Sequence, residues 1–423
     1  RTRDCSVRER KRAANTLQRS AQTAQGVLTM KIEQVKVILT SPNQNYLFVK
    51  LITDSGVYGV GDASLNGQEH TVADFITSFL TPILIGRDPT QIEDFWQLVY
   101  RGAYWRGGNI VMSALCGVDM ALWDILGKVT GQPLYRLLGG KVRDKVLCYS
   151  HVLGKTNEEK AALAASYVKE RGLKVIRLRA GAPAANGTLG GGVQDGPKVE
   201  PWTPEEEIYN TVEFFIRVRE QVGREVGIIY DLHERFSPAQ AIRIIRQLEP
   251  YDPFFIEDPV APDCIASLRS VREKTSVPIA FGELYKSRHE CLPAITGRLV
   301  DYIRCDVIRI GGITEARKIA VLAETYDVKT AWHGPNDVSP ITHAVNWHLN
   351  VSEYNFGIQE DGSVDTLVKQ VVSGGPVYRD GYLYLEDRPG IGCDIDEAAA
   401  EKYPFRRAYI PVCRSSDGSL TNW

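Results

Sequence analysis

The sequence predicts an α/β protein: a small α+β unit followed by a barrel of parallel strands and helices. Three observations carry this reading. First, three short apolar runs, IIYD, FFIE and IAFGE, end in the acids Asp231, Glu257 and Glu283, each 26 residues after the last. That period fits one strand, one helix and their loops, and unbroken apolar runs suit strands covered on both faces. Second, strand-like and helix-like segments alternate eight times after residue 141, which points to a closed parallel barrel rather than an open sheet. Third, residues 30–140 read as three strands and then three helices.

Residues 1–29 stand apart. They carry seven basic and two acidic residues without a long apolar core, and read as a leader or tag-like extension. From Met30, KIEQVKVIL, YLFVKLIT and GVYGVGDA are separated by turn residues and suit an antiparallel meander. Helical patterns follow over 70–83, 88–101 and 108–130, the last stopped by Gly131. LLGGKVRDKV joins the two units. Barrel strands are predicted at 146–151, 173–179, 226–232, 253–258, 278–283, 301–306, 328–333 and 354–359, so the barrel spans 141–374. Helices are predicted between them, among them 156–171, 204–222 and 312–326. The Gly-, Ala- and Pro-rich stretch over 181–203 is long for its place, and is either a lid over the rim or an insertion without a role. Residues 375–423 return to short strands and turns, ending in Trp423, and are expected to pack back on the first unit.

A formal net charge of −2 argues against a nucleic-acid surface, and on sequence no apolar run approaches membrane-spanning length. The eight cysteines are scattered without a CxxC pair, as in a reduced, cytoplasmic protein.

The three acids would lie side by side at the C-terminal ends of neighbouring strands, which in such a barrel is the catalytic rim. Three close carboxylates do not stay ionised without a cation, and an all-oxygen set favours Mg²⁺ over Zn²⁺. The plain alternative is three helix N-caps after strands. His233 stands two residues after Asp231, so strand alternation would turn both into one cavity, where an imidazole can donate a proton. His333 ends the seventh strand, and Asp306 ends the sixth, from where it could orient that imidazole, cap a helix or pair with a cation. Arg304 could hold a substrate carboxylate or pair with an acid. Arg177 and Arg179 share a face at the end of the second strand and stay protonated there. Together these groups suit removal of a weakly acidic proton beside a carboxylate, with the charge of the enediolate held by a metal and neighbouring donors.

The stretches GVYGVGDASLNGQE, VYRGAYWRGG, VDMALWDILGK, YDLHERFSP, FFIEDP, FGELY, WHGPNDVSP and NFGIQE resemble the enolase superfamily, and within it the mannonate dehydratase group. That group includes proteins called starvation-sensing proteins. The likeness runs from Met30 to Trp423. It implies a modified TIM barrel under an N-terminal capping domain, with Mg²⁺ on Asp231, Glu257 and Glu283. It implies that His233 protonates a departing 3-hydroxyl, giving a 2-keto-3-deoxy acid. Substrate contacts are implied for Asn66, His151, Glu283, Arg304, His333, Asp337 and Glu360. It further implies a homo-oligomer, a tetramer or octamer, acting on a small sugar acid.

Two departures bear on the reaction. Active mannonate dehydratases use a Tyr in the loop after the second strand as base, helped by an Arg that Arg177 matches. Leu189 stands where that Tyr is looked for, and no Tyr occurs between Tyr167 and Tyr209. Asp306 instead matches the His–Asp pair of mandelate racemase-like members, so His333 with Asp306 is a candidate base from the other face of C2. Such a face would favour D-gluconate over D-mannonate, and Pro335 resembles the low-efficiency or gluconate-using branch. A member that binds metal and sugar acid without turnover is the alternative. A racemase lacks its second base here.

Overall fold

The computed structural model describes residues 30–102, 104–152, 154, 156–179, 199–201, 203–361, 365–410, 412–415 and 417–422. The leader over 1–29, the part of the long loop that carries Leu189, and Trp423 lie outside the described residues. The first unit opens with the antiparallel meander β1 (Ile32–Thr40), β2 (Tyr46–Thr53) and β3 (Tyr58–Asp62). Helical turns over 69–84, then α1 (Ile92–Gly102) and α2 (Asn109–Thr130), cover one face of it. The single helix expected over 70–83 is split into α, π and α turns. Pro82 has no amide hydrogen to give to the preceding turn, and the ladder loosens ahead of it.

Helix α2 corrects one expectation. It is long and apolar enough to cross a membrane by length and composition, but most of it is buried within the protein. Its packing explains the GVYGVG run. A Cβ on Gly59 or Gly61 would come within 2.0 Å of the carbonyl oxygens of Ala121 or Gly117, so only glycine lets the helix lie this close to β3. Two indoles tie this unit to the barrel. Trp96 Nε1 donates to the Gly311 carbonyl at 2.8 Å, and Trp123 Nε1 to Thr314 Oγ1 at 2.9 Å.

The barrel strands are β4 (Val146–His151), β5 (Val175–Arg179), β7 (Gly227–Asp231), β8 (Phe255–Glu257), β9 (Ile279–Phe281), β10 (Tyr302–Ile303), β11 (Lys329–Thr330) and β12 (Gln359–Glu360). A short β6 (Val199–Pro201) lies off the barrel. Neighbours pair in parallel from β4 to β11; a Thr330–Phe356 bridge and the pairing of β12 with β4 close the ring. Ladders are shorter than the apolar runs because each chain leaves its neighbour to reach the rim. The last expected strand, 354–359, is displaced to Gln359–Glu360.

One apolar layer crosses the barrel, with one residue from each strand position: Tyr149, Val175, Ile229, Phe255, Ala280, Tyr302, Ala331 and Ile358. Two residues further along stand His151, Arg177, Asp231, Glu257, Arg304, His333 and Glu360, as strand alternation requires. The remaining position, on β9, breaks the rule. Gly282, at φ 122°, takes that place and passes the acid on to Glu283.

The remaining chain forms β13 (Val372–Ser373), β14 (Val377–Arg379), β15 (Tyr382–Tyr384), β16 (Asp394–Ile395), β17 (Val412–Arg414) and β18 (Leu420–Thr421). β15 extends the barrel sheet by pairing antiparallel with β4. Residues 397–403 lie on the first sheet: Glu397 pairs with Lys36 at 2.9 Å and Lys50 at 2.7 Å, and Thr40 Oγ1 donates to the Ala400 carbonyl at 3.0 Å. The described cysteines are free thiols, all buried except Cys264.

Glu353, just past the helix Pro340–Ser352, offers a pH test of packing. Its Oε2 accepts from Thr330 Oγ1 at 3.0 Å and Trp332 Nε1 at 3.2 Å, yet burial pushes its pKa up to about 7. The folded chain therefore keeps a proton that the unfolded chain has lost, and this group's contribution to stability falls as pH rises from about 4.5 to about 7. Glu353→Gln should remove that fall, giving a flatter urea-unfolding free energy between about pH 5 and about pH 7 than the wild type. Equal slopes in the two proteins would contradict the account.

Candidate active site

The rim of the barrel is a buried charged layer. Arg304 is wholly enclosed and reaches three acids: Glu283 at 2.8 Å, Glu257 at 3.3 Å, and Glu360 by a short ion pair. Its Nε also donates to the Tyr149 hydroxyl at 3.3 Å. Of the two sequence readings of Arg304, pairing with acids is the one these contacts display. Arg177 pairs through Nη2 with Asp231 and, at 2.8 Å, with Glu257. Its Nη1 lies 3.0 Å from His151 Nε2, which is itself in short contact with Glu360. Arg179 stands 3.8 Å from Asp231, on the same side as Arg177.

Arg177, Arg179 and Arg304 do not neutralise this many carboxylates. Burial pushes the Glu257 pKa up to about 7 although Arg177 and Arg304 both pull it down. Asp258 is raised well above the carboxylate range, by burial and then by Glu283 and Glu257. For Glu360, burial is outweighed by Arg304, His151 and His333, which hold it well below that range.

The acids that come together are Glu257, Asp258 and Glu283, with one oxygen from each within 4.8 Å of the others. Asp231 is opposite Glu257 in the β7–β8 register but outside this cluster, because Arg177 and the His233 amide occupy its oxygens. Asp258 was not foreseen. Its signal was the second acid of FFIEDP, which alternation assigns to the outer face. A backbone φ of 38° turns it back toward the rim. Asp258 Oδ2 is buried without a hydrogen-bond donor among the described residues, and Glu257 Oε2 has only its 3.3 Å ion pair with Arg304 Nε. Buried carboxylate oxygens short of donors are costly, and an all-oxygen set of this kind fits a hard divalent cation.

His333 Nδ1 lies 2.9 Å from Asp306 Oδ2, and its Nε2 lies 3.3 Å from Glu283 Oε1. Burial opposes charge on this ring, but Glu283, Glu360 and the Asp306 bond outweigh it and lift its pKa to about 9. Asp306 also accepts from the Ile308 amide at 2.7 Å, so it serves as a local cap as well as the imidazole's partner.

His233 reaches the cavity by a different route from the one predicted. The β7 ladder ends at Asp231, and His233 and Glu234 have φ values of 52° and 55°. A tight turn, closed by the His233 amide on Asp231 Oδ1 at 2.8 Å, replaces strand alternation. A cavity of about 470 Å³ opens over the rim and is lined by Asn66, His233, Glu283, Asp306, His333 and Asp337, among others. Asn66 belongs to the first unit, and its amide donates to Asp337, so the cavity is composite. Glu234, also on the cavity wall, was missed because a turn residue leaves no periodic signal. His151, Arg177, Arg304 and Glu360 are arranged beneath it, tied to one another.

Residues 23–139 match the mandelate racemase / muconate lactonizing enzyme N-terminal domain, and residues 159–399 match the enolase C-terminal domain-like family. The chain belongs to the enolase superfamily. Among its relatives, a D-mannonate dehydratase of Caulobacter vibrioides is 43% identical over 404 residues, covering 93% of this chain and 100% of the relative. A D-galactonate dehydratase family member from Cellvibrio japonicus is 40% identical over 403 residues, with coverage of 93% and 100%. A solved enolase of Pantoea ananatis with bound D-gluconate and Mg superposes with a TM-score of 0.87 at 39% identity, covering 93% of this chain and 100% of that one.

The charge pairing makes a stability prediction. Arg304→Met should leave Glu257 and Glu360 short of a buried partner and cost about 3–5 kcal/mol in urea unfolding without added metal. A loss below about 1 kcal/mol would mean that the acids are neutralised in another way.

Proposed function

We propose that the protein is a Mg²⁺-dependent hydro-lyase that dehydrates a sugar acid, D-gluconate or D-mannonate, to a 2-keto-3-deoxy acid. The observation that carries this reading is the His333–Asp306 contact of 2.9 Å opening on the same cavity as His233 and Glu283. In this reading Glu257 and Glu283 would hold the cation together with Asp231, whose Oδ2 would exchange Arg177 for the metal, and Asp258 stands beside them. Its chemistry, when bound, is to stabilise negative charge on the substrate carboxylate as the α-proton leaves.

The chain's own groups then divide the work. His333 Nε2 takes the proton from C2 in its neutral form, which a cation on Glu283 would favour by offsetting the carboxylate that most raises the ring's pKa, and Asp306 accepts from Nδ1–H and steadies the imidazolium that results. His233 gives a proton to the 3-hydroxyl, which departs as water, and the enol relaxes to the 2-keto acid. Asn66 and Asp337 orient the hydroxyls from the cavity wall, while His151, Arg304 and Glu360 hold the charged layer beneath it. Arg177 shapes the field around Asp231 and Glu257. Leu189 cannot accept a proton, so the imidazole serves from the opposite face of C2, which favours the gluconate epimer. The relatives' dehydratase names and the gluconate-bound neighbour support the reaction class. A homo-oligomer goes with the same reading.

Incubation with Mg²⁺ and each acid should yield 2-keto-3-deoxy product, with D-gluconate ahead of D-mannonate. In D₂O, His333→Asn should abolish exchange of the C2 hydrogen. His233→Asn should keep exchange while stopping elimination. Exchange surviving in His333→Asn would remove that ring from the base role. A wild type that neither exchanges nor eliminates would leave a metal- and acid-binding protein without turnover.

A further inference from the structure

The cavity has a third wall that belongs neither to the barrel nor to the first unit. Ile410 and Asn422 line it, from the segment that carries β17 and β18. β17 pairs in parallel with β6 and antiparallel with β18, so this strap is fastened to the chain just ahead of the helix Pro204–Val222. Asn422 directly follows β18, and its Nδ2 donates to the Glu234 carbonyl at 2.6 Å.

That carbonyl sits in the turn that presents His233. Two successive non-glycine residues in the left-handed region make an unfavourable turn that outside contacts must hold. Among the described residues, three polar contacts to the backbone of His233 and Glu234 do so. Asp231 takes the His233 amide at 2.8 Å, the Asp258 carbonyl takes the Glu234 amide at 2.8 Å, and Asn422 grips the Glu234 carbonyl. The first two come from neighbouring barrel ends. The third reaches across from the strap, 188 residues away in the chain.

We infer that Asn422 is a positioning residue for His233, and that the strap is a working part of the active site rather than a decoration of the fold. The inference rests on the proposed role of His233 as the acid. A carbonyl released from Asn422 lets the peptide after His233 rotate, and the imidazole leaves its place over the 3-hydroxyl. Proton removal at C2 falls to His333 on another strand and does not depend on this contact.

The test compares Asn422→Asp, which keeps the volume but has no amide donor, and Asn422→Ala with the wild type. Three quantities are read on the full chain with Mg²⁺ and D-gluconate: hydrogen exchange of the backbone amides over 232–236, kcat and KM for elimination, and C2 exchange in D₂O. Both variants should show turn amides exchanging about five- to tenfold faster and kcat lower by a similar factor. KM should hold within about twofold and C2 exchange should be unchanged, a split that general loosening would not give. Unchanged turn protection and unchanged kcat would overturn the inference, as would equal losses of elimination and C2 exchange. If the wild type turns over no acid but turn protection still drops in both variants, the anchor stands and the dehydratase reading fails.

Discussion

Charge balance in a buried layer is the constraint on which this architecture depends. Asp231, Glu257 and Glu360 are almost fully enclosed, and Arg177 and Arg304 are enclosed with them. Ions taken out of water must be paid back by close opposite charge, and each guanidinium here serves more than one carboxylate. The pairing is incomplete, as the raised pKa values of Glu257 and Asp258 record. An incomplete balance is what a cation-binding site needs: acids held together by the fold, with oxygens left over.

The layer exists because of what lies under it. A ring of apolar side chains, from Tyr149 to Ile358, plugs the barrel and fixes the inward phase of every strand. Once that phase is set, the next inward position along each strand must face the mouth. The functional groups are thus placed by core packing, and their rotamers by one another. The first unit then supplies a roof. Arg309 reaches the Ser64 carbonyl by a short contact, and the Asp337–Asn66 bond joins roof to rim.

Much of this was legible in the sequence because it is periodic. The runs IIYD and FFIE declare an apolar interior followed by an acid, and the position of His333 after Ala331 follows the same rule. Helices such as Asn157–Arg171 were readable from their spacing and from Gly172 at the end. What escaped was aperiodic. The turn at His233 and the φ of Asp258 redirect side chains by single backbone angles that no pattern announces. Asn422 meets Glu234 only through tertiary folding. Strand lengths were overread because apolar character continues past the last paired residue. The extent of α2 was read correctly, Gly131 stop included; what was overlooked is that it is long and apolar enough to span a membrane, its acids Asp119 and Asp124 being buried and bonded to Thr314 and Ile391.

Gly282 carries a consequence for how such a site can change over generations. Its φ of 122° is open to glycine and strained for any other residue, and an added Cβ would stand 3.0 Å from the Tyr285 ring. The acid of this strand is therefore out of step with its neighbours by one residue. Any lineage that replaced the glycine would swing the carboxylate out of line, and a simple acid at position 282 would not restore it. New chemistry on this scaffold is more accessible through the loops and the strap than through the ninth strand.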